Sequence, residues 1–352
     1  MNSRASVYAV ISVVLSLTVI LLSPGLLWAR PMVMRLAAVQ GQDMTYVKAL
    51  SEIAAGIGQR SGGRIRVEVS SGGRMGSEAR ALKRQINGRI HGGFTSGVVL
   101  AHTLPSFRLL TIPRLFTNNE EVLAFPGSRL ERAMSATARR RNLKVLGYGS
   151  LGFYGVLSLR WGERRMEALP RDLYVRVPDE SWMRKVHAAM GWRPVYAPMD
   201  DLRTATATGW VEGIVATPES LAGAFPPEGS DFFHQIRQMH GWTVFTVNNG
   251  WFRRLPPDLK SIVSDVVREV SARALRGALQ REAQILGLWV SRGWASATRS
   301  SAWLPSKAER KVALTAIRKV ERKLRIKGDV KRLWEQRNPT YGAVGTPVGV
   351  GR

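Results

Sequence analysis

Apolar and polar residues follow two different periodicities along the first half of the chain. Apolar residues recur at helix spacing over 46–57, which predicts a helix that Gly62 ends, and they alternate over 65–69, which predicts a strand. A second helix is predicted to begin at Ser77 as N-cap, and residues 90–100 fit a buried strand and turn. Alternating strands and helices at this spacing predict an α/β fold with helices on the faces of a parallel sheet.

The carboxyl-terminal third has a longer helical pattern. Apolar residues keep helix spacing over 263–278, and the pattern continues to Trp289, so one helix is predicted over 258–290. Such a helix is about 50 Å long, which exceeds the width of one small domain. We therefore expect it to span two lobes, and we expect a further helix with apolar positions over 314–324.

The amino terminus carries no charge over residues 5–29, after a short start that contains Arg4. A positive start, an apolar stretch and a helix break at Pro24, before a possible cleavage site after Ala29, are typical of an export signal. Leu27 is bulky where a small residue is preferred, and the uncharged stretch would span about 37 Å as a helix. An uncleaved membrane anchor is therefore the alternative.

Length and charge narrow the classes of partner. The chain has 352 residues, 45% of them hydrophobic, which suffices for two domains with their own cores and excludes wholesale disorder. Its 52 Lys and Arg against 26 Asp and Glu give a net charge of +26, which favours anionic small molecules, lipids or polymers. The basic run 307–337 has few aromatic residues to stack on bases, so we expect no specific nucleic-acid binding.

The sequence offers no assembled catalytic or metal site. It has no cysteine, and its five histidines lack a zinc spacing, so we expect no metal. No nucleophile, base and orienting group can be named together, so we expect no enzymatic activity and no cofactor. Residues 147–152 match G-x-G-x-x-G after a predicted strand, but residues 153–159 fit another strand where a nucleotide fingerprint needs a helix. We interpret the three glycines of this motif as a bending connection between two domains.

Several short blocks occur in an order and spacing typical of one protein family. They are 63–69, 73–78, 112–116, 143–147, 175–178, 208–213 and Asn248 followed by 255–257. From about residue 34 to residue 289 the chain resembles the solute-binding proteins of tripartite ATP-independent periplasmic (TRAP) transporters. The resemblance implies a two-lobed α/β binding protein of the periplasm that closes on an organic acid and delivers it to membrane permease subunits.

The resemblance also assigns the family's key arginine to Arg176, in the strand before a Val-Pro step. A guanidinium offers a rigid fork that matches both oxygens of a carboxylate, so this residue type suits a cleft that selects planar anions. The alternative is a structural salt bridge with Asp172 or Asp179.

Two departures from the family pattern predict a more apolar pocket. Tyr154 stands where a second arginine is common, and Ala216 stands in place of the family's amide-containing segment, which leaves Thr217 as the nearest polar residue. We therefore expect a monocarboxylate, or a larger aromatic or keto acid, in place of a compact dicarboxylate. Strand ends, where open α/β sheets place ligands, contribute three more predicted site residues, each with a core, cap or turn role as its alternative: Phe94, Ser96 and Asn248.

The predicted organisation has four parts. Residues 1–29 form a signal peptide or N-terminal anchor, and residues 338–352 form a flexible tail. Between them we expect the following lobes: 30–151 with 243–280 as lobe I, and 152–242 with 281–337 as lobe II. We expect a monomer. The alternative function is a non-transport interaction protein that uses the same scaffold to bind an anionic polymer, a lipid or a sensor partner.

Overall fold

Two sheets form the framework of the protein. A computed structural model describes residues 31–39, 44–72, 75–159, 172–178, 181–197, 201–296 and 307–339. The predicted signal or anchor, residues 1–29, lies outside these ranges. The strands are β1 (Met32–Ala37), β2 (Ile65–Ser70), β3 (Gly92–Ser96), β4 (Leu143–Phe153), β5 (Gly155–Ser158), β6 (Tyr174–Arg176), β7 (Arg193–Val195), β8 (Gly213–Ala216), β9 (Phe232–His234) and β10 (His240–Asn248).

Helices cover both sheets. They are α1 (Thr45–Arg60), α2 (Glu78–Ile86), α3 (Gly97–Thr103), α4 (Asn119–Ala124), α5 (Arg129–Ala138), α6 (Ser181–Ala189), α7 (Leu202–Ala207), α8 (Pro218–Ala224), α9 (Asn249–Arg254), α10 (Pro257–Ser291), α11 (Lys307–Leu324) and α12 (Asp329–Arg337), with 3₁₀ helices at Pro105–Thr111 and Arg139–Arg141. The predicted cap is confirmed, because the Ser77 side chain accepts a hydrogen bond from the Arg80 N–H. Within the described ranges, no helix combines the length and apolar character that a membrane span needs.

Each sheet belongs to one lobe, and the two ends of the first sheet have different surroundings. Its order is β2-β1-β3-β10-β4, and that of the second sheet is β7-β6-β8-β5-β9. Strands β1, β2 and β3 run parallel, whereas β10 runs antiparallel to β3 and β4. We call the end that contains Leu143 and Asn248 the pole of lobe I. The opposite end, which contains Ser96, Phe153 and His240, is the cleft end.

The lobes are joined by two strand crossovers that lie side by side. Strand β4 leads into β5 through Tyr154, and β9 leads into β10 through residues 235–239. The Tyr154 N–H donates to the Met239 carbonyl at 2.8 Å, and the Gln238 N–H donates to the Tyr154 carbonyl at 3.2 Å. These paired bonds hold the two connections together at the cleft end.

A bend in β4 directly precedes the first crossover. Gly152 has φ +88°, and a Cβ there would lie 3.0 Å from the carboxyl carbon of Glu282 on α10. That carboxylate accepts a hydrogen bond from the Phe153 N–H at 2.8 Å. Gly152 thus takes the predicted bend near the end of β4, while Gly147 and Gly149 lie earlier in the same strand.

The predicted long helix is confirmed. Helix α10 contributes Val263 and Val267 to the apolar core around β1, β3 and β10 of lobe I. It also contributes Leu286 and Trp289 to the core around β5 and β8 of lobe II. One continuous helix therefore stabilises both lobes by apolar burial.

Helices α11 and α12 pack against lobe I. Their apolar side chains share one core with the 3₁₀ helix Pro105–Thr111 and the first sheet. Trp334 Nε1 donates to the Pro113 carbonyl at 2.7 Å. Asn338 is completely buried. Sequence reasoning placed 281–337 in lobe II and Asn338 in the tail; the shared core joins 307–338 to lobe I, while α11 also contacts α6 of lobe II. The other lobe boundaries stay predictions.

Candidate functional site

Arg176 ends β6, which lies between β7 and β8 in the second sheet. The side chain is only 7% exposed. Its Nε donates to the Ala197 carbonyl at 2.9 Å, and one terminal nitrogen donates to the Val215 carbonyl at 3.4 Å. Because a guanidinium has five N–H donors, several remain for another acceptor.

The salt-bridge alternative for Arg176 finds no support among the described residues. Asp172 pairs with Arg193 at 3.4 Å on the surface, and Asp179 lies outside the described ranges. No acid of those ranges forms a salt bridge with Arg176. Burial lowers the pKa of Arg176, while Tyr154 and Tyr196 nearby oppose that shift. The site therefore holds a buried positive charge whose described partners are neutral carbonyls, an arrangement that favours an incoming anion.

Tyr154 connects Arg176 to the crossover between the lobes. Burial raises the pKa of the Tyr154 phenol to about 12; Arg176 opposes this shift and Glu78 adds to it. The hydroxyl is therefore neutral near pH 7 and can both donate and accept a hydrogen bond. The ring packs with Val98 of lobe I against an apolar cluster of lobe II, so Tyr154 lies where both lobes and the buried cation meet.

Ser96 ends β3 at the cleft end and is held by Glu78. Its N–H donates to Glu78 Oε1 at 2.6 Å, its hydroxyl donates to Oε2 at 2.7 Å, and the same oxygen caps α3 by accepting from the Val99 N–H. Burial raises the pKa of Glu78, and the two bonds from Ser96 oppose that shift. Ser96 thus has neither its N–H nor its hydroxyl hydrogen left for a ligand and serves to shape the site.

Thr217 lies at the same junction but also has its hydroxyl engaged. It is 1% exposed and caps α8, where its oxygen accepts from the Ser220 N–H at 3.4 Å and lies 2.9 Å from the Ser220 hydroxyl. A Cβ placed on Gly241 would lie 3.2 Å from the Thr217 methyl group, which shows how closely α8 approaches the start of β10.

A carboxylate two residues beyond Thr217 links the lobes directly. Glu219 Oε1 accepts from the Thr45 N–H at 2.8 Å and from the Thr45 hydroxyl at 2.5 Å. Glu219 is 6% exposed, and its Oε2 is buried without a hydrogen-bond partner among the described residues. Because α8 belongs to lobe II and α1 to lobe I, this contact exists only when the lobes are close together.

The cleft end of lobe I contains a cavity of about 10 Å³ beside the crossovers. It is lined by Ser96, Gly97, Val98, Leu110, Thr111, Leu151, Tyr154, Met239, His240, Gly241 and Trp242. Two of these residues have buried ring nitrogens without a hydrogen-bond partner in the described part of the chain, namely His240 Nδ1 and Trp242 Nε1. The cavity suffices for about one water molecule, so it is too small for an organic acid.

Two predicted site residues are not brought to this junction. The Phe94 ring is 3% exposed and packs edge-on against Tyr46 and Phe245 in the core of lobe I. Asn248 lies at the pole, where its side chain accepts from the Trp251 N–H and donates to the Gln85 carbonyl. Asn248 was expected at a ligand-binding strand end, but β10 is antiparallel to its neighbours, so its carboxyl end points away from the cleft.

A buried serine–histidine pair joins the two connected strands on each side of the crossovers. Ser150 Oγ and His240 Nε2 lie 2.9 Å apart in lobe I, and Ser158 Oγ and His234 Nε2 lie 2.9 Å apart in lobe II. Burial, with a further contribution from Arg237, lowers the pKa of His240 to about 3. Burial lowers the pKa of His234 to about 4. Both imidazoles are therefore neutral near pH 7.

Sequence reasoning missed three residues of this region: Glu78, Glu219 and His240. Glu78 carried a signal, because it closes the block 73–78. The other two gave none, since each acts through a contact between segments far apart in the chain.

A larger hollow of about 590 Å³ lies in lobe II, away from Arg176. Its lining contains Arg203 together with the acids Glu212, Glu228 and Asp231. Three acids against one arginine repel a carboxylate, so size does not make this hollow the better candidate. The chemistry favours the junction around Arg176 and Tyr154.

A family model and several solved structures match this arrangement. The model DctP, for bacterial extracellular solute-binding protein, family 7, matches residues 36–299. A TRAP periplasmic solute-binding protein from Ochrobactrum anthropi has a TM-score of 0.76 at 18% identity, over 87% of this chain and 96% of that one. No curated protein matches the sequence.

Two further structures have ligands bound. A TRAP protein from Sulfitobacter sp. with β-D-galacturonate has a TM-score of 0.73 at 15% identity, over 88% of this chain and 100% of that one. A TRAP protein from Ralstonia eutropha with (S)-2-acetolactate has a TM-score of 0.74 at 19% identity, over 87% of this chain and 98% of that one. At these identities the likeness establishes the two-lobed fold.

Proposed function

The chain belongs to family 7 of the bacterial extracellular solute-binding proteins, and from this premise we propose that it captures a small organic acid for the membrane subunits of a TRAP-type transporter. The family is one of transport proteins and not of enzymes. A periplasmic location fits a family of extracellular binding proteins. The assignment of residues 1–29 as an export signal or anchor is part of the same proposal.

The observation that carries the proposal is the buried guanidinium of Arg176, which the described residues balance with no carboxylate. A bound organic acid supplies the missing negative charge, and its two oxygens match the spare N–H donors. Tyr154 adds a neutral hydroxyl beside the guanidinium. Trp242 Nε1 and His240 Nδ1 offer unused polar atoms from lobe I.

Closure of the lobes couples binding to a change of shape. The cavity at the cleft end has room for about one water molecule, so an organic acid bound at this junction needs the lobes to move apart. After entry, the link from Glu219 to Thr45 forms only in the closed form. The acid therefore shifts the protein toward closure to the extent that it contacts both lobes.

The expected ligand is an apolar or extended monocarboxylate. Tyr154 and Ala216 remove a cation and an amide that a second carboxylate would need, and Val98 and Met239 add apolar surface. The galacturonate and acetolactate held by two proteins of the same fold each carry one carboxylate.

A thermal-shift screen tests the proposal. Keto, aromatic and sugar acids are compared with their neutral amides and with C4 dicarboxylates. An acid at about 100 times its dissociation constant stabilises the folded state by about 2.7 kcal/mol, which raises the melting temperature. If no acid does so, or if amides act equally, carboxylate capture is contradicted. If C4 dicarboxylates bind more tightly than apolar monocarboxylates, only the expected ligand class is wrong.

A further inference from the structure

A cluster of positive charge lies at the pole of lobe I. Three segments meet there: the turn 86–91, the 3₁₀ helix with the start of β4 at 139–144, and α9 with the start of α10 at 249–260. Together they carry eight cations and one acid, Asp258. The cations are Arg89, Arg139, Arg140, Arg141, Lys144, Arg253, Arg254 and Lys260.

Hydrogen bonds fix these segments to one another. The Asn249 N–H donates to the Asn142 carbonyl at 2.8 Å, and the Gly250 N–H donates to Asn142 Oδ1 at 2.8 Å. Asn142 Nδ2 donates to the Ile86 carbonyl at 3.0 Å, and Asn248 Nδ2 donates to the same carbonyl at 3.1 Å. The cations therefore belong to one rigid surface and not to separate loops.

The charge of this surface is not neutralised locally. Asp258 pairs with Arg64 at 2.5 Å, and no acid of the described ranges forms a salt bridge with any of the eight cations. Lys144 extends over the Phe252 ring, 3.9 Å from its centre. Burial lowers the pKa of Lys144, and the like charges of Arg139, Lys260 and Arg268 lower it further. Such a surface attracts a partner with many negative charges.

The direction of the chain indicates which partner. Strand β1 begins with Met32 at the pole, because β1 is parallel to β2 and β3 and Met32 pairs with Ile65 at the start of β2. The sequence that leads into Met32 includes the uncharged, apolar residues 5–29. Retained as an anchor, this segment would bring a bilayer to the pole and not to the cleft.

We propose that the pole of lobe I is a membrane-contact surface that binds anionic phospholipid headgroups. This property adds to acid capture in the cleft and does not replace it. Clusters of four to eight Lys and Arg next to a membrane-directed segment are typical of surfaces that bind anionic lipid. Nucleic acid is the less favoured polyanion, since Trp251 and Phe252 of the pole are buried and cannot stack on bases.

Vesicle co-sedimentation of the full chain tests the proposal. Vesicles of phosphatidylcholine with about 30% phosphatidylglycerol supply the surface charge, and vesicles of pure phosphatidylcholine are the neutral reference. The pole variant combines Arg139→Gln, Arg140→Gln and Arg141→Gln, all exposed positions. The matched control removes the same charge from α11 through Lys319→Gln, Arg322→Gln and Lys323→Gln, also exposed.

We expect the pole variant to lose on the order of 100-fold in affinity for the anionic vesicles, since each basic residue near such a surface contributes about fivefold. The α11 control and the charge-preserving triple change of Arg139, Arg140 and Arg141 to Lys should bind like the unchanged protein. Binding to neutral vesicles measures insertion of the apolar amino terminus and should be equal in all variants.

Three results would overturn the proposal. One is an equal loss in the pole variant and the α11 control, which would mean that only total charge matters. Another is anionic-vesicle binding no stronger than neutral-vesicle binding. The last is tighter binding of double-stranded DNA than of anionic vesicles at the same salt concentration. Organic-acid binding measured on the same variants should stay unchanged, which separates this proposal from the function of the cleft.

Discussion

Two different kinds of positive charge lie at the cleft end and at the pole of lobe I. At the cleft, Arg176 of lobe II is buried, and the structure gives it two neutral carbonyls as acceptors. At the pole, arginines such as Arg140 are exposed to solvent on a surface that contains one acid. A buried charge loses its water and must find a specific counter-ion, whereas exposed charges are screened by salt and distinguish anions poorly. The net charge of the chain therefore says little about which cation selects the ligand.

The largest expected effect separates the two kinds of cation directly. Arg176→Gln should weaken organic-acid binding by about 2–5 kcal/mol, because it removes the buried partner of the carboxylate. Arg140→Gln removes the same charge from the pole and should leave that affinity unchanged. Isothermal titration of both variants with an acid identified by thermal shift measures the difference. Equal affinity of Arg176→Gln and the unchanged protein would refute the role of the guanidinium.

The next effect concerns the buried, neutral histidines beside the crossovers. The pKa values of His234 and His240 fall from 6.5 to about 4 and about 3 in the folded protein. The unfolded chain therefore takes up these protons first, so stability is complete above about pH 6.5 and falls as the pH decreases toward the folded values. Each histidine contributes about 1.4 kcal/mol per pH unit in this window.

Urea unfolding between pH 7 and pH 5 measures this slope, to which His187 adds because burial lowers its pKa to about 4. The raised pKa of Glu78 acts in the opposite direction, because the folded protein binds that proton more readily than the unfolded chain. His240→Gln should reduce the slope of the free energy of unfolding against pH by the contribution of one proton, about 1.4 kcal/mol per pH unit. A free energy of unfolding that stays constant over this range would contradict the neutral, buried state of both imidazoles.

A smaller effect tests the bend before the first crossover. Gly152→Ala places a Cβ at φ +88° and against the Glu282 carboxyl group, and it should destabilise the fold by about 1–3 kcal/mol. Gly209→Ala is the matched control, because Gly209 has φ +73° with no atom near its Cβ position. Urea unfolding should show the larger loss for Gly152→Ala; an equal loss would assign no role to the contact with Glu282.

The smallest effect concerns the link between the lobes. Glu219→Gln weakens the hydrogen bonds from Thr45, so the closed form should lose about 1 kcal/mol and the ligand should dissociate several-fold faster. Glu228→Gln, on the exposed loop after α8, is the control and should leave the dissociation rate unchanged. Stopped-flow dissociation measures both. If neither variant differs from the unchanged protein, the contact does not favour closure.

Local patterns predicted much of the fold. The helix α1, the cap at Ser77 and the long helix α10 follow from apolar spacing and capping chemistry within a few turns of chain. The packing of α11 and α12 on lobe I could not be predicted in this way. It depends on contacts such as that of Trp334 with Pro113, which join residues more than two hundred positions apart.

The site was predicted in part, and its errors have physical causes. Arg176, Tyr154, Ser96 and Thr217 are gathered at one junction, although their roles toward a ligand stay predictions. The rule that ligands lie at the carboxyl ends of strands holds for parallel sheets, and it led to the wrong end for Asn248 on the antiparallel β10. The hydroxyls of Ser96 and Thr217 are occupied by caps, a competition that side-chain chemistry alone does not reveal.

The paired crossovers and the continuous helix α10 limit how the two halves of the molecule can move. Connections that lie side by side resist sliding and twisting but permit rotation about one shared axis. Ligand occupancy would thus be expressed as a single angle between the halves, which any surface that spans both halves can detect without contacting the ligand.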